Sequence, residues 1–188
     1  METPVGSMPK PTACLLILAV AALIAGPAGC SRNRSNADAT IEEPPGQQLE
    51  KSMLRANDPK ASKQLIKGFY ELEQGSFRWT MGQFSVTLRP PFDAAEQGAK
   101  LVLNLGVPGP VIQKLKSMKL SASVDGVALP GETYTKAGTY LYSRDVPARA
   151  LLKRVVTVGF TLDKYLPPSD ADQRELGVVV TAVGFEDK

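Results

Sequence analysis

The stretch GFYELEQGSFRWTMGQFSVTL, Gly68 to Leu88, decides how the chain reads. Its second half alternates: Phe84, Val86 and Leu88 are separated by Ser85 and Thr87, the period of two of a half-buried strand. Earlier in the stretch, Phe77, Trp79 and Met81 share one side of an extended chain, with Arg78 and Thr80 on the other. The first set reads as the apolar side, so Trp79, the sole tryptophan, is expected to plug a core. Burying an indole contributes roughly a few kcal/mol. The competing reading makes Trp79 an exposed plate on which a sugar could stack, which requires the strand to lie at a sheet edge or at the mouth of the domain.

The same period recurs outward along the chain. It appears in AKLVLNLGV (99–107), MKLSASVDGVAL (118–129), GTYLYSRDV (138–146), RVVTVGFTL (154–162) and LGVVVTAVGFE (176–186). Asp125-Gly126 is a two-residue hairpin turn. The proline clusters Pro90-Pro91, Pro108 to Pro110 and Pro167-Pro168 mark loops where pairing stops. PVIQKLKS (110–117) and PARALLKR (147–154) have room for single helical turns. With no long amphipathic helix between strands, the expected class is all-β: an antiparallel β-sandwich of jelly-roll or galactose-binding-like type over residues 63–188. Any ligand site belongs in the end loops or on a concave sheet face.

Composition narrows the chemistry. The 188 residues carry 22 basic and 19 acidic side chains, scattered, so no Lys/Arg stripe marks a nucleic-acid partner. Histidine is absent, which removes the commonest general base, the nucleophile pairs built on it and the most frequent transition-metal ligand. Glycoside hydrolysis needs only two carboxylates. Asp93, Glu96, Asp163, Asp170, Asp172 and Glu175 are available, but no spacing singles out a pair, and the expectation is a non-catalytic protein without a cofactor.

The first 29 residues read as an export signal: Lys10, then the apolar run Ala13 to Ala25, then small residues before Cys30. Met8 offers a second start. The run is too short to span the hydrocarbon core of a bilayer, about 30 Å. Pro27-Ala28-Gly29-Cys30 resembles the lipobox of bacterial lipoprotein precursors, with Pro27 where an aliphatic residue is usual. The resemblance implies cleavage before Cys30 and its acylation, palmitate included. With Ser31 next, it also implies transit to an outer membrane, facing the periplasm or the surface. Ordinary signal cleavage with a free thiol, or an uncleaved anchor, are the alternatives. Cys14 lies inside the run, so Cys30 is left without a disulfide partner. Residues 30–62 are polar and proline-bearing, and are expected to form a flexible tether.

A second resemblance rests on Gly68, Phe69, Glu73, Arg78, Trp79, Asp172, Arg174, Leu176 and Gly177. These look like the β-sandwich modules fused to bacterial glycosyltransferases and polysaccharide-assembly proteins, over about Leu65 to Glu186. The resemblance implies the fold and not an activity. Together with the export signal it suggests a membrane-tethered envelope module that binds a glycan or cell-wall polymer. Tyr70, Tyr134, Tyr140 and Tyr142 are the candidate stacking residues, since TYTKAGTYLY is polar and turn-rich, and Arg78 and Arg174 are candidate donors to a carboxylate or hydroxyl. Both arginines also read as structural partners of Glu73, Asp172 or Glu175, and that reading is preferred. Asp170, Asp172 and Glu175, with Asp163 nearby, offer a weak calcium loop or a solvated acidic turn. The other function class is a structural lipoprotein docking on an envelope protein through a sheet edge or apolar face.

Overall fold

The computed structural model describes residues 50–188, so the signal segment, Cys30 and the tether as far as residue 49 lie outside the described residues. In chain order the strands are β1 (Met53–Arg55), β2 (Leu65–Glu73), β3 (Phe77–Leu88), β4 (Ala99–Val107), β5 (Met118–Val124), β6 (Val127–Tyr134), β7 (Gly138–Val146), β8 (Val156–Leu162) and β9 (Val179–Glu186). Two short helices, α1 (Ala94–Gln97) and α2 (Gly109–Leu115), and two 3-10 turns, Ala61–Lys63 and Ala148–Ala150, lie between them.

Every strand pairing is antiparallel, along the path β6-β5-β8-β3-β9-β4-β7, with β1 added to β9 and β2 to β3. The path doubles over into the expected sandwich. One layer is β2, β3, β8, β5 and β6; the other is β1, β9, β4 and β7. Strand β3 serves both: Gln83 to Leu88 pair with β8, whereas Arg78 and Trp79 pair with β9. Gly82 sits where the strand passes from one layer to the other. A Cβ there would stand 2.2 Å from the Tyr165 ring, so only glycine admits the ring at this crossing.

The core lies between the layers. Phe84, Val86, Leu88, Leu120, Val158 and Phe160 of one layer and Leu101, Leu103, Tyr142, Val183 and Phe185 of the other belong to a single buried cluster. Phe84 stacks on Phe160 at 4.9 Å between ring centroids, and Phe69 meets the edge of Phe84 at 5.3 Å. The hairpin at Asp125-Gly126 forms as its sequence requires, with φ of +46° and +85° and Val124 opposite Val127. The segments read as helical turns become α2 and the 3-10 turn Ala148–Ala150.

Two expectations are overturned. Trp79 is not a core plug. Phe84, Val86 and Leu88 are buried, and in one unbroken strand the residues of the same parity, Arg78 and Thr80, must face the same way. Thr80 is fully buried, its hydroxyl donating to Val178 O at 3.1 Å and accepting from Val178 N–H at 3.2 Å. Trp79, of opposite parity, pairs with Val179, and its half-buried ring packs against the margin of the core.

The second correction is the tether boundary at residue 62. Residues 53–55 form β1, with Leu54 buried and paired to Val183. Gly184 makes this possible, because a Cβ there would stand 2.5 Å from Ser52 O and 2.7 Å from Met53 Cα. Buried Gln64 adds a clasp: its amide donates to Lys51 O and Thr87 O, and its carbonyl accepts from Lys51 N–H.

Candidate functional site

The concave site lies where three segments meet. Strand β3 ends at Leu88, and beyond Arg89 the pair Pro90-Pro91, unable to continue the ladder, turns the chain outward before α1. Phe92 follows and is 100% exposed. Across from it, the loop between Ala148–Ala150 and β8 buries Leu151 but leaves Leu152 70% exposed. Glu50 and Ser52, just before β1, complete the lining. The groove so formed has a volume of about 490 Å³.

Its charge is mostly basic: Arg89, Lys153 and Arg154 line it, against Glu50. Lys153 is committed to Asp125 Oδ2 at 2.8 Å. Burial raises the Asp125 carboxyl, but the hydrogen bonds from Lys153 and from Thr157 N–H together outweigh it and hold the group below the ordinary carboxylate value. Among the described residues neither Arg89 nor Arg154 has a carboxylate partner. Apolar plates beside free guanidinium donors can hold a flat ring with an anionic or hydroxyl substituent.

The tyrosines do not form a platform. Tyr134 and Tyr142 are buried, at 2% and 0% exposure. The Tyr142 hydroxyl donates to Pro130 O at 2.9 Å, and Arg144 lies 4.4 Å over its ring. Tyr134 packs against Tyr140 at 4.7 Å, and its own hydroxyl has no partner among the described residues. Burial pushes both phenols above their usual range. Tyr140 is half-buried, its hydroxyl donating to Lys136 O at 2.9 Å. Tyr70 is half-buried under Arg174, whose guanidinium carbon is 5.3 Å from the ring centroid. The polar, turn-rich look of 133–142 misleads because strand parity, not local polarity, sets which rings enter the core.

The two arginines are spent on structure. Arg78 donates to Ala56 O at 3.2 Å and Tyr70 O at 3.0 Å, tying β3 to the segments on either side of it. Arg174 forks onto both oxygens of Asp172, at 3.0 and 2.9 Å, and onto Glu73 Oε1 at 2.6 Å. The hydrogen bonds from Asp172 and then Glu73 raise the Arg174 pKa, and the same contact holds Asp172 below its usual range. Arg144, which the sequence reading passed over, donates to Pro130 O at 2.9 Å and Glu132 Oε2 at 2.7 Å, clasping β7 to the outer edge of β6.

The carboxylates are equally dispersed. Asp163 accepts from Lys119 N–H at 2.6 Å and Glu175 from Gly82 N–H at 3.3 Å, while Asp93 and Glu96 belong to the start of α1. Asp170, Asp172 and Glu175 do not converge: among the described residues no group of three metal-ligating side chains is found.

No protein-family model matches the chain, and no curated protein does. Among solved structures it is similar to the CBM36-1 domain of a multidomain xylanase from the hindgut metagenome of Trinervitermes trinervoides. That match has a TM-score of 0.41 at 6% identity and covers 72% of this chain and 96% of that one. A carbohydrate-binding module CBM36 in complex with calcium and xylotriose gives 0.39 at 11% identity, covering 71% and 98%. A CBM4 structure gives 0.33 at 10%, covering 72% and 85%. At these scores the likeness carries no argument about a ligand.

Proposed function

We propose that this chain is a lipid-anchored envelope lipoprotein, attached at Cys30 and facing the periplasm or the surface from an outer membrane, whose non-catalytic β-sandwich binds a glycan or cell-wall polymer. The observation that carries the binding part is the groove between Pro90-Pro91-Phe92 and Leu151 to Arg154, where a fully exposed aromatic ring stands beside cationic donors. An exposed phenylalanine gains nothing for folding by its position, whereas against the apolar face of a sugar ring it gains both contact and dehydration. The anchor rests on the run Ala13 to Ala25 and the sequence Pro27 to Cys30. Mass measurement of the mature N-terminus checks it.

The alternative, docking on an envelope protein through a sheet edge, has less to use at β6. Strand β6 carries Pro130, and the carbonyls of Pro130 and Gly131 already accept from Arg144.

The binding reading is tested by titrating the full chain with a panel of neutral and acidic envelope glycans. At least one is expected to bind, and Phe92→Ala to weaken it roughly tenfold, an aromatic contact's worth. Thermal stability should not change, because the ring is 100% exposed. Absence of binding to every glycan removes the reading.

A further inference from the structure

We infer that the groove takes a carboxylate-bearing glycan, a polymer containing uronic acids, with Arg89 and Arg154 receiving the carboxylates and Phe92 lying under the ring between them. This rests on the glycan-binding reading above and names its ligand class.

The inference comes from which cations are still available. Arg78, Arg144 and Arg174 each have their donors taken by backbone carbonyls or carboxylates. Lys153 has Asp125. Arg89 and Arg154 both line the groove, and among the described residues neither meets a carboxylate. A guanidinium is a planar fork, weakly hydrated and matched to a carboxylate's two oxygens, so a pair of them favours an anion with that geometry over a neutral hydroxyl. Among the described residues the only carboxylate in the lining is Glu50, against Arg89, Lys153 and Arg154. Phe92 and Leu152, exposed on either side, supply surface for the C–H faces of the ring, which inorganic anions lack. A volume of about 490 Å³ lies within the ordinary range for small-ligand sites, about 300–1,000 Å³. Because the cations are exposed, the attraction must weaken with salt.

The test titrates the full chain with oligogalacturonate, with neutral xylo-oligosaccharide and with phosphatidylglycerol vesicles, at low and high salt. Oligogalacturonate is expected to bind best, to lose roughly tenfold or more in the double variant R89Q/R154Q, and to weaken as salt rises. F92A should weaken it too, and R149Q, outside the groove, should not. If the neutral oligomer binds as well and R89Q/R154Q changes nothing, the charge inference falls while glycan binding stands. If neither saccharide binds, the uronate inference falls, and glycan binding falls with it only when the wider panel above is also negative. If only the vesicles bind, with loss in R89Q/R154Q, the face is a membrane contact and both fall.

Discussion

Gly68→Ala is expected to destabilise the domain by roughly 3–5 kcal/mol, the sum of backbone strain and overpacking. Gly68 has φ of +78°, and a Cβ there would stand 2.0 Å from Gln83 O and 2.7 Å from Phe84 Cα. Neither atom is the end of a flexible side chain, so β2 itself would have to lift from β3. The close approach exists because the pairing slips here, from Lys67↔Ser85 to Phe69↔Thr80. That bulge is what brings Phe69 against Phe84. Gly75→Ala is the control: φ is +63°, but nothing lies within 4 Å, so only the conformational cost of about 1–2 kcal/mol applies. Urea denaturation of the full chain compares the two. Equal losses would show that β2 does not approach β3 as described.

Tyr142→Ala is expected to cost roughly 3–5 kcal/mol, as large aromatic truncations in cores do. It removes a side chain of 0% exposure, opens a cavity between the layers, leaves Pro130 O without one of its donors and takes away the ring under Arg144. Tyr142→Phe isolates the hydroxyl and should cost about 1 kcal/mol. Tyr134→Phe should be neutral or stabilising, since that hydroxyl is buried without a partner among the described residues. Denaturation midpoints separate the three. A Tyr142→Ala variant with unchanged stability and lost glycan binding would restore the tyrosine platform.

The architecture was legible where burial repeats every second residue. Phe84, Val86 and Leu88, the alternation of 99–107 and the hairpin at Asp125-Gly126 each have one dominant local cause, and all three stand in the structure. The error at Trp79 was avoidable from the sequence. Positions 77, 79 and 81 differ in parity from 84, 86 and 88, so one strand cannot bury both sets, and the more apolar, better alternating set wins the core. β1 was hidden because three residues with one large buried side chain make no periodic signal; what admits them is Gly184, more than a hundred residues away.

The site was less legible than the fold. Tyr134 looked exposed because Thr133, Thr135 and Lys136 lie beside it, yet those neighbours are themselves the exposed ones. Arg78 and Arg174 were singled out as candidate donors, but their partners decide their role, and those partners are carbonyls and carboxylates of this chain. The groove carried a faint mark: a proline pair that must end a strand, followed by Phe92 in a polar loop, and Lys153-Arg154 after Leu152. Nothing local in the sequence says that these two loops meet.

Hydrogen exchange across the full chain, with and without saturating oligogalacturonate, tests the location of binding most directly. New protection is expected at residues 89–95 and 151–155, with 134–142 unchanged. Protection confined to 134–142, or to the neighbourhood of Arg174 and Tyr70, would contradict it.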